Sequence, residues 1–409
     1  MNLTTFGQTF GPVTNLSSST HRADCQSIKV LGNNVYVAWA DDSIGGGDIL
    51  FRRSIDGGKT FGQITDLSDM TADQATCPQI AVSGDNVYVV WHEVSISGLF
   101  DVFFRKSSNR GLSFDTIKNL SHNDGDSSFP HIASATNRVY VVWNDDTPPD
   151  FMPFFTRSRD GGASFGPVKN LAQPPIEEAL NAQITVSGHT VYVAWTGSDG
   201  ENSQIDLRIS KDGGNTFGST KVITDDSGAP VLRASGNNLY IAWGSGDIFF
   251  KRSTNMGSSF SKTLNLGDGT DPIISSSGDT VYVVWTGGSD VLLKRSTNAG
   301  ANFGNLRNLS HDPASSFDPS ISKDGQNVQV AWTDDSQGKG EIFMRRSTNF
   351  GMDFNPRVDV SNTQEESFNP KTVSSDGIVY VTWIERVSDS DSDLLFVKST
   401  LSTANIFGN

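Results

Sequence analysis

Long apolar stretches are missing from this sequence: none reaches the roughly 18 residues that a membrane-crossing helix needs, and no membrane insertion is expected. Basic residues are few. The 31 Lys and Arg are outnumbered by 46 Asp and Glu, and the net charge of −15 opposes capture of nucleic acid or of anionic lipid, since both need a basic footprint. Cysteine is scarcer still, with Cys25 and Cys77 alone, so a disulfide framework is excluded. Each lies 14 residues before a Trp, which makes the two equivalent positions in adjacent repeats; two small buried thiols are preferred to one bridge between neighbours. Long segments with helical periodicity are also lacking, which leaves an all-β chain. The sequence opens Met1-Asn2-Leu3 without a charged, apolar and cleavable leader, as expected of a cytoplasmic protein or of a secreted one whose leader was removed. Low lysine content and Ser/Asn/Gly-rich loops favour secretion or a cell-surface location.

What is there is a repeat. The Trp residues, at 39, 91, 143, 195, 243, 285, 332 and 383, are spaced 52, 52, 52, 48, 42, 47 and 51 residues apart, each closing an apolar run such as Val35-Tyr36-Val37-Ala38-Trp39. A period of this length made of short strands marks a radial or solenoid array. The second unit reads as four strands over 79–83, 87–91, 101–107 and 117–121, with Gly, Asn and Asp at the turns. A second strand that is apolar at nearly every position is covered on both sheet faces, as in blades stacked around an axis. The whole chain, 1–409, is therefore expected to form a single domain, an eight-bladed β-propeller of four-stranded antiparallel blades. Its ends complete each other: the last unit degenerates after Ser399, whereas Pro12-Val13-Thr14-Asn15-Leu16-Ser17 reads as an outermost strand, so the N-terminal strand closes the last blade.

Between the third and fourth strands runs Ser-x-Asp-x-Gly: Ser54/Asp56/Gly58, Ser158/Asp160/Gly162 and Ser210/Asp212/Gly214, each followed by a hydroxyl residue and Phe. Softer copies with Asn occur at Ser107/Asn109/Gly111, Ser253/Asn255/Gly257, Ser296/Asn298/Gly300 and Ser347/Asn349/Gly351. This series resembles the Asp-box, or BNR, repeats of sialidase-like β-propellers, with Phe in place of their usual Trp. The Asp or Asn accepts backbone hydrogen bonds, Gly supplies a positive φ and Phe anchors the loop, so these residues read as architecture and not as catalytic acids.

A four-stranded meander places these turns on one face and the long loops on the other. The resemblance implies that ligand binds opposite the boxes. That face is acidic, with Asp41, Glu93, Asp145, Asp334 and Glu385 following the Trp residues and others, such as Asp271 and Asp318, preceding the first strand; the ring they form suits a solvated rim, a cation or a polyhydroxylated ligand. Acids before the third strand (Asp48, Asp101, Asp206, Asp247, Asp290, Glu341 and Asp393) suggest a repeated hydrogen bond at the strand start. In the loop 388–393, alternate Asp389, Asp391 and Asp393 suit a hard cation such as Ca²⁺, though without the Gly and distal Glu of an EF-hand. His21, His92, His122 and His131 read as exposed loop residues.

One cluster breaks the repeat in a way that suits an anion: His21 and Arg22 entering the first blade, beside Glu385 and Arg386 in the last, with an inter-blade salt bridge as the plainer reading. A sialidase would need a Tyr nucleophile and an Arg triad. All seven Tyr sit at equivalent places in the second strand, and most Arg precede the boxes, on the opposite face. The sequence thus favours a non-enzymatic binding or scaffold propeller whose partner is a glycan, a cation or a protein surface. The alternatives are a divergent sialidase-like glycoside hydrolase and a propeller lectin.

Overall fold

A computed structural model describes residues 9–399 except 19, 43–45, 69–73, 96, 148–149, 173, 175 and 312. Strands pair into eight four-stranded antiparallel sheets, and no helix occurs among the described residues. The first blade is Ala23–Leu31, Asn34–Asp41, Asp48–Ser54 and Thr65–Asp66, here strands A to D, and the next six repeat that order. First strands of successive blades touch one another all the way round, and Ala23–Leu31 touches Glu366–Ser375 of the eighth blade. Strand A therefore lines the axis, and the expected eight-bladed β-propeller is what forms.

The core lies between blades, not within them. Its eight apolar clusters each join one pair of neighbours, the last joining blade eight to blade one through Trp39, Leu50, Tyr380 and Phe396. Every Trp is fully buried, each against the blade before it. This is why strand B is apolar on both faces: one face supplies the Trp to the preceding blade, the other supplies Tyr to the following one.

The eighth blade combines Glu366–Ser375, Ile378–Ser388 and Asp391–Lys398 with Thr14–Asn15, where Thr14 faces Phe396 and Asn15 faces Leu395. Leu16 behind it is fully buried, and its carbonyl accepts from Arg52 of blade one at 2.9 Å.

The cysteines correct the expectation. Cys25 and Cys77 form a disulfide between blades one and two, with 5.1 Å between their Cα atoms. Strand A carries a β-bulge in seven blades, each with one non-glycine residue in the left-handed region: Cys25 (φ 53°), Cys77 (φ 52°), Phe129, Asn181, Asp271, Asp318 and Asn369. A bulge re-aims its side chain, and equivalent bulges of adjacent innermost strands bring the two sulfurs together.

Candidate binding face and axial mouth

The repeated turn is consumed by its own hydrogen bonds. Asp56 accepts from the Ser54 hydroxyl (2.7 Å), the Thr60 hydroxyl (2.7 Å) and the N–H groups of Lys59 and Thr60 (both 3.0 Å), while Ser54 Oγ accepts from Gly58 N–H at 2.8 Å. Asp160 and Asp212 repeat this with Ser158/Ser164 and Ser210/Thr216. Burial acts upward on the Asp56 carboxyl, but the Thr60, Ser54 and Lys59 donors outweigh it and hold it well below the usual range. Ser158 and Ser164 do the same for Asp160, and Thr216 and Ser210 for Asp212. Glycine is required because a Cβ on Gly58 (φ +70°) would lie 2.7 Å from Phe396 of the neighbouring blade, and one on Gly162 (φ +83°) 2.8 Å from Phe104. Gly214 is placed likewise against Phe155. Phe61 and Phe165 then stand edge-on to Phe396 and Phe104, each at 4.8 Å. The turn is an inter-blade staple. Asp56→Ala is expected to cost about 0.5–2 kcal/mol, as lost capping residues do, measured by denaturant titration, with ligand binding on the far face intact.

Gly57 N–H donates to Asn33 O and Gly161 N–H to Asn137 O, so the turns share a face with the A–B hairpins. The B–C and D–A loops form the other face, as the meander demands.

Much of the expected carboxylate ring on that other face turns out to be buried. Asp41, Glu93, Asp145 and Asp334 accept from the indole N–H of Trp39, Trp91, Trp143 and Trp332 at 2.8–3.0 Å. A buried indole needs an acceptor, which explains an acid two residues after the Trp. The acids before strand C serve a second buried bond: Ser68 Oγ donates to Asp48 (3.1 Å) and accepts from Ile49 N–H (3.1 Å), and Ser121–Asp101, Ser310–Asp290, Ser361–Glu341 and Ser17–Asp393 repeat the relay. In blade three Met152 and Ala172 replace acid and serine together. Asp247 accepts from Asn265 Nδ2 at 2.7 Å instead, and Asp206 does not belong to this series either. It pairs across the sheet with Trp195, two positions deeper, in the one place where Gly197 and Gln204 leave room for a carboxylate.

Glu93 is 1% exposed, and burial, with Asp48 and Asp66 adding like charge against the Trp91 hydrogen bond, pushes its carboxyl from 4.5 to about 7. A raised acid favours the unfolded chain once that chain ionises, so the Glu93 contribution is fully present below pH 4.5 and is lost as pH rises to about 7. At about 1.4 kcal/mol per pH unit, the loss reaches about 3 kcal/mol. Glu93→Gln is expected to match the parent near pH 4.5 and to exceed it by that order at pH 8, read from denaturation midpoints.

Two histidines depart from the exposed-loop reading. His92 is buried between Phe100 (5.3 Å) and Phe129 (5.2 Å), and burial lowers it to about 4; His131 lies inside the channel, 3.0 Å from Gln183 of the next blade, and is lowered likewise. His21 stays exposed beside Thr20.

Of the anion cluster, Arg22 and Arg386 meet around a cleft of about 150 Å³ with Phe368, Asp389 and Asp391. Each guanidinium has its own carboxylate: Arg22 pairs with Asp24 (3.0 Å) and Arg386 with Glu366 (2.6 Å), both within one blade. Glu385 is not part of the cleft. Ser367 Oγ donates to it at 3.3 Å, and burial pushes its carboxyl up. Asp389, Asp391 and Asp393 do not converge: Asp393 accepts from Ser17, and among the described residues no three His, Cys, Asp or Glu side chains are grouped as a metal would need.

The strand A bulges assemble something the sequence reading missed. They ring the axis at the long-loop end, placing Phe129 (58% exposed), Asn181, Asp271, Asp318 and Asn369 beside the Cys25–Cys77 bridge. Lys371 donates to Asn369 Oδ1 at 2.8 Å and sits by Asp318, whose carboxyl is pushed up by burial and by Asp271 against that ammonium. The signal that would have found them is the Pro that follows Cys77, Phe129, Asp271, Asp318 and Asn369 at one repeat position. The seven Tyr are buried, and the Tyr282 hydroxyl donates to Phe350 O in a repeated turn at 2.9 Å, on the opposite face.

No protein-family model and no curated protein matches the chain. Among solved structures it is similar to an ulvan lyase of a polysaccharide-lyase family, bound to a glucuronate and sulfated-rhamnose saccharide, at 10% identity over 92% of this chain and 94% of that one (TM-score 0.53). The computationally designed protein Ika8 is similar at 11% identity over 93% and 98% (TM-score 0.51), and phage phi92 endosialidase at 11% over 98% and 71% (TM-score 0.47). A polysaccharide lyase and a designed protein match the chain with similar TM-scores, and what is shown at these identities is the β-propeller fold.

Proposed function

We propose that this is a non-catalytic binding propeller of the Asp-box kind, working outside the cell, that holds a glycan at the axial mouth of its long-loop face. The mouth carries the reading. Its side chains, all from one bulge position of strand A, combine an exposed Phe with amides and carboxylates. An aromatic face stacks on a sugar ring, while Asn and Asp exchange hydrogen bonds with neighbouring hydroxyls. The Cys25–Cys77 bridge supports an oxidising compartment, and the fold shared with a polysaccharide lyase supports a saccharide by analogy alone. Glycan-array screening followed by calorimetry tests the assignment. Phe129→Ala and Asp318→Ala are each expected to weaken the best hit about tenfold with the all-β circular dichroism spectrum retained; full affinity in both removes the mouth as the site. A bound-metal assay run alongside decides between a sugar and a cation there. No turnover of a fluorogenic sialoside above a buffer blank is expected. Robust hydrolysis that disappears in Arg22→Ala/Arg386→Ala would put a rebuilt hydrolase site in its place.

A further inference from the structure

The opposite face holds two cavities the mouth does not involve. One, of about 440 Å³, lies between the outer strands of blade three and the turn of blade four, and its wall includes Arg157, Arg159, Lys169 and Asn215. The other, of about 460 Å³, is the same groove one blade on, with Lys211, Lys221 and Ser258. Arg159 and Lys211 directly follow the turn's serine; Lys169 and Lys221 face Phe155 and Leu207 from strand D. At the first position the other blades among the first seven have Ile55, Ser108, Thr254, Thr297 and Thr348. At the second they have Thr65, Lys118, Leu264, Arg307 and Val358. Only blades three and four combine cations at both, and they are neighbours.

These cations are not there for ion pairing. Among the described residues none of Arg157, Arg159, Lys169, Lys211 or Lys221 forms a salt bridge. In the first groove they converge on a neutral residue: Arg157 Nη2 and Arg159 Nη2 both donate to Asn215 Oδ1, at 2.7 and 2.9 Å, and Lys169 donates to Asn215 O. Asp160 lines the groove and Asp212 lies near Arg157, but the oxygens of both are taken by their own turns. Burial, and then the Arg159 charge, lowers Arg157. Arg157 itself is repeat architecture, since Arg53 and Arg252 likewise donate to carbonyls of the next turn. Arg159 and Lys169 are the additions. In a chain of net charge −15, like charges gathered on a neutral amide leave an electrostatic vacancy that an anion fills.

We propose that the paired grooves of blades three to five bind an anionic polysaccharide, its successive carboxylate or sulfate groups seated at Arg159/Lys169 and at Lys211/Lys221. Each groove has room for a sugar unit or two, and two equivalent sites side by side match a ligand that is itself periodic and gain from being engaged together. The sparse charge of such a chain suits an acidic protein, whereas the dense charge of a duplex nucleic acid would be repelled by the rest of the surface. This second site is independent of the mouth.

Affinity electrophoresis of the full chain through gels containing polygalacturonate, dextran sulfate or neutral dextran tests it. Retardation is expected in one or both acidic gels and not in the neutral one, and it weakens with added salt. Arg159→Gln/Lys211→Gln is expected to lose affinity at least tenfold; Lys169→Gln/Lys221→Gln should do the same, Arg159→Lys should retain most of it, and Phe129→Ala at the mouth should retain all of it. The carboxylate and sulfate gels decide which acid is preferred. No retardation, equal retardation of both double variants and the parent, or equal binding of duplex DNA each overturns the proposal.

Discussion

A chain lacking residues 1–17 is expected to melt well below the full-length protein, because the cut reaches every blade through one seam. Leu16 gives up a fully buried side chain, about 2–3 kcal/mol. Ser17 leaves the buried Leu394 N–H without its 3.0 Å bond, at about 1–3 kcal/mol, and the half-buried Asp393 carboxylate also loses its donor at 3.0 Å. Arg52 loses Leu16 O, and Phe10 no longer covers the cluster shared by blades seven and eight. The total is on the order of 5 kcal/mol or more, which for a chain of this size lowers the melting temperature by about 6 °C. Scanning calorimetry on the two proteins checks it; coincident transitions would mean that the ring is closed elsewhere.

The second large effect belongs to the Cys25–Cys77 bridge. It closes a loop of 52 residues, for which the chain-entropy estimate is about 4 kcal/mol. Reduction and alkylation of the parent are expected to shift its denaturation midpoint by that amount, and Cys25→Ser/Cys77→Ser should start from the shifted midpoint and ignore reductant. A parent that keeps its midpoint after both thiols are alkylated contradicts the bridge.

The architecture was legible because its causes are local and repeated. A Trp every 42 to 52 residues marks each blade interface, and the Ser-x-Asp-x-Gly turn marks one face. The seam was legible too, since Leu16-Ser17 has the form of Leu67-Ser68 and Leu120-Ser121. What escaped depends on where a backbone points. Cys25 and Cys77 look like paired buried thiols until the bulge turns them to the axis, and in the sequence only the Pro after Phe129 and Asp318 sets these two apart from ordinary loop residues. The acids were misjudged for a different reason. Spacing shows that a carboxylate follows Trp39 by two residues, but not that the indole N–H behind it is fully buried and has to be met. Asp206 slipped because the loop of its blade carries the acid two places late, and only the cross-strand pairing with Trp195 reveals the offset. His92 was hidden by its partners, Phe100 and Phe129, which come from different blades.

The order in which the ring can form follows from its seam. The strand that finishes blade eight leaves the ribosome before every other described strand, and Ser17 meets Leu394 across 377 residues. Closing a loop of that length costs about 5 kcal/mol of chain entropy, with no return until the last strands exist. Seven interfaces can settle progressively during synthesis, while the Trp39 face of blade one and the Phe396 face of blade eight wait uncovered. That interval is when the nascent protein is most exposed to association with its own kind. Its length is set by how fast blade eight is translated, so slowed elongation over residues 366–399 is expected to lower the soluble yield more than the same delay in the middle of the chain.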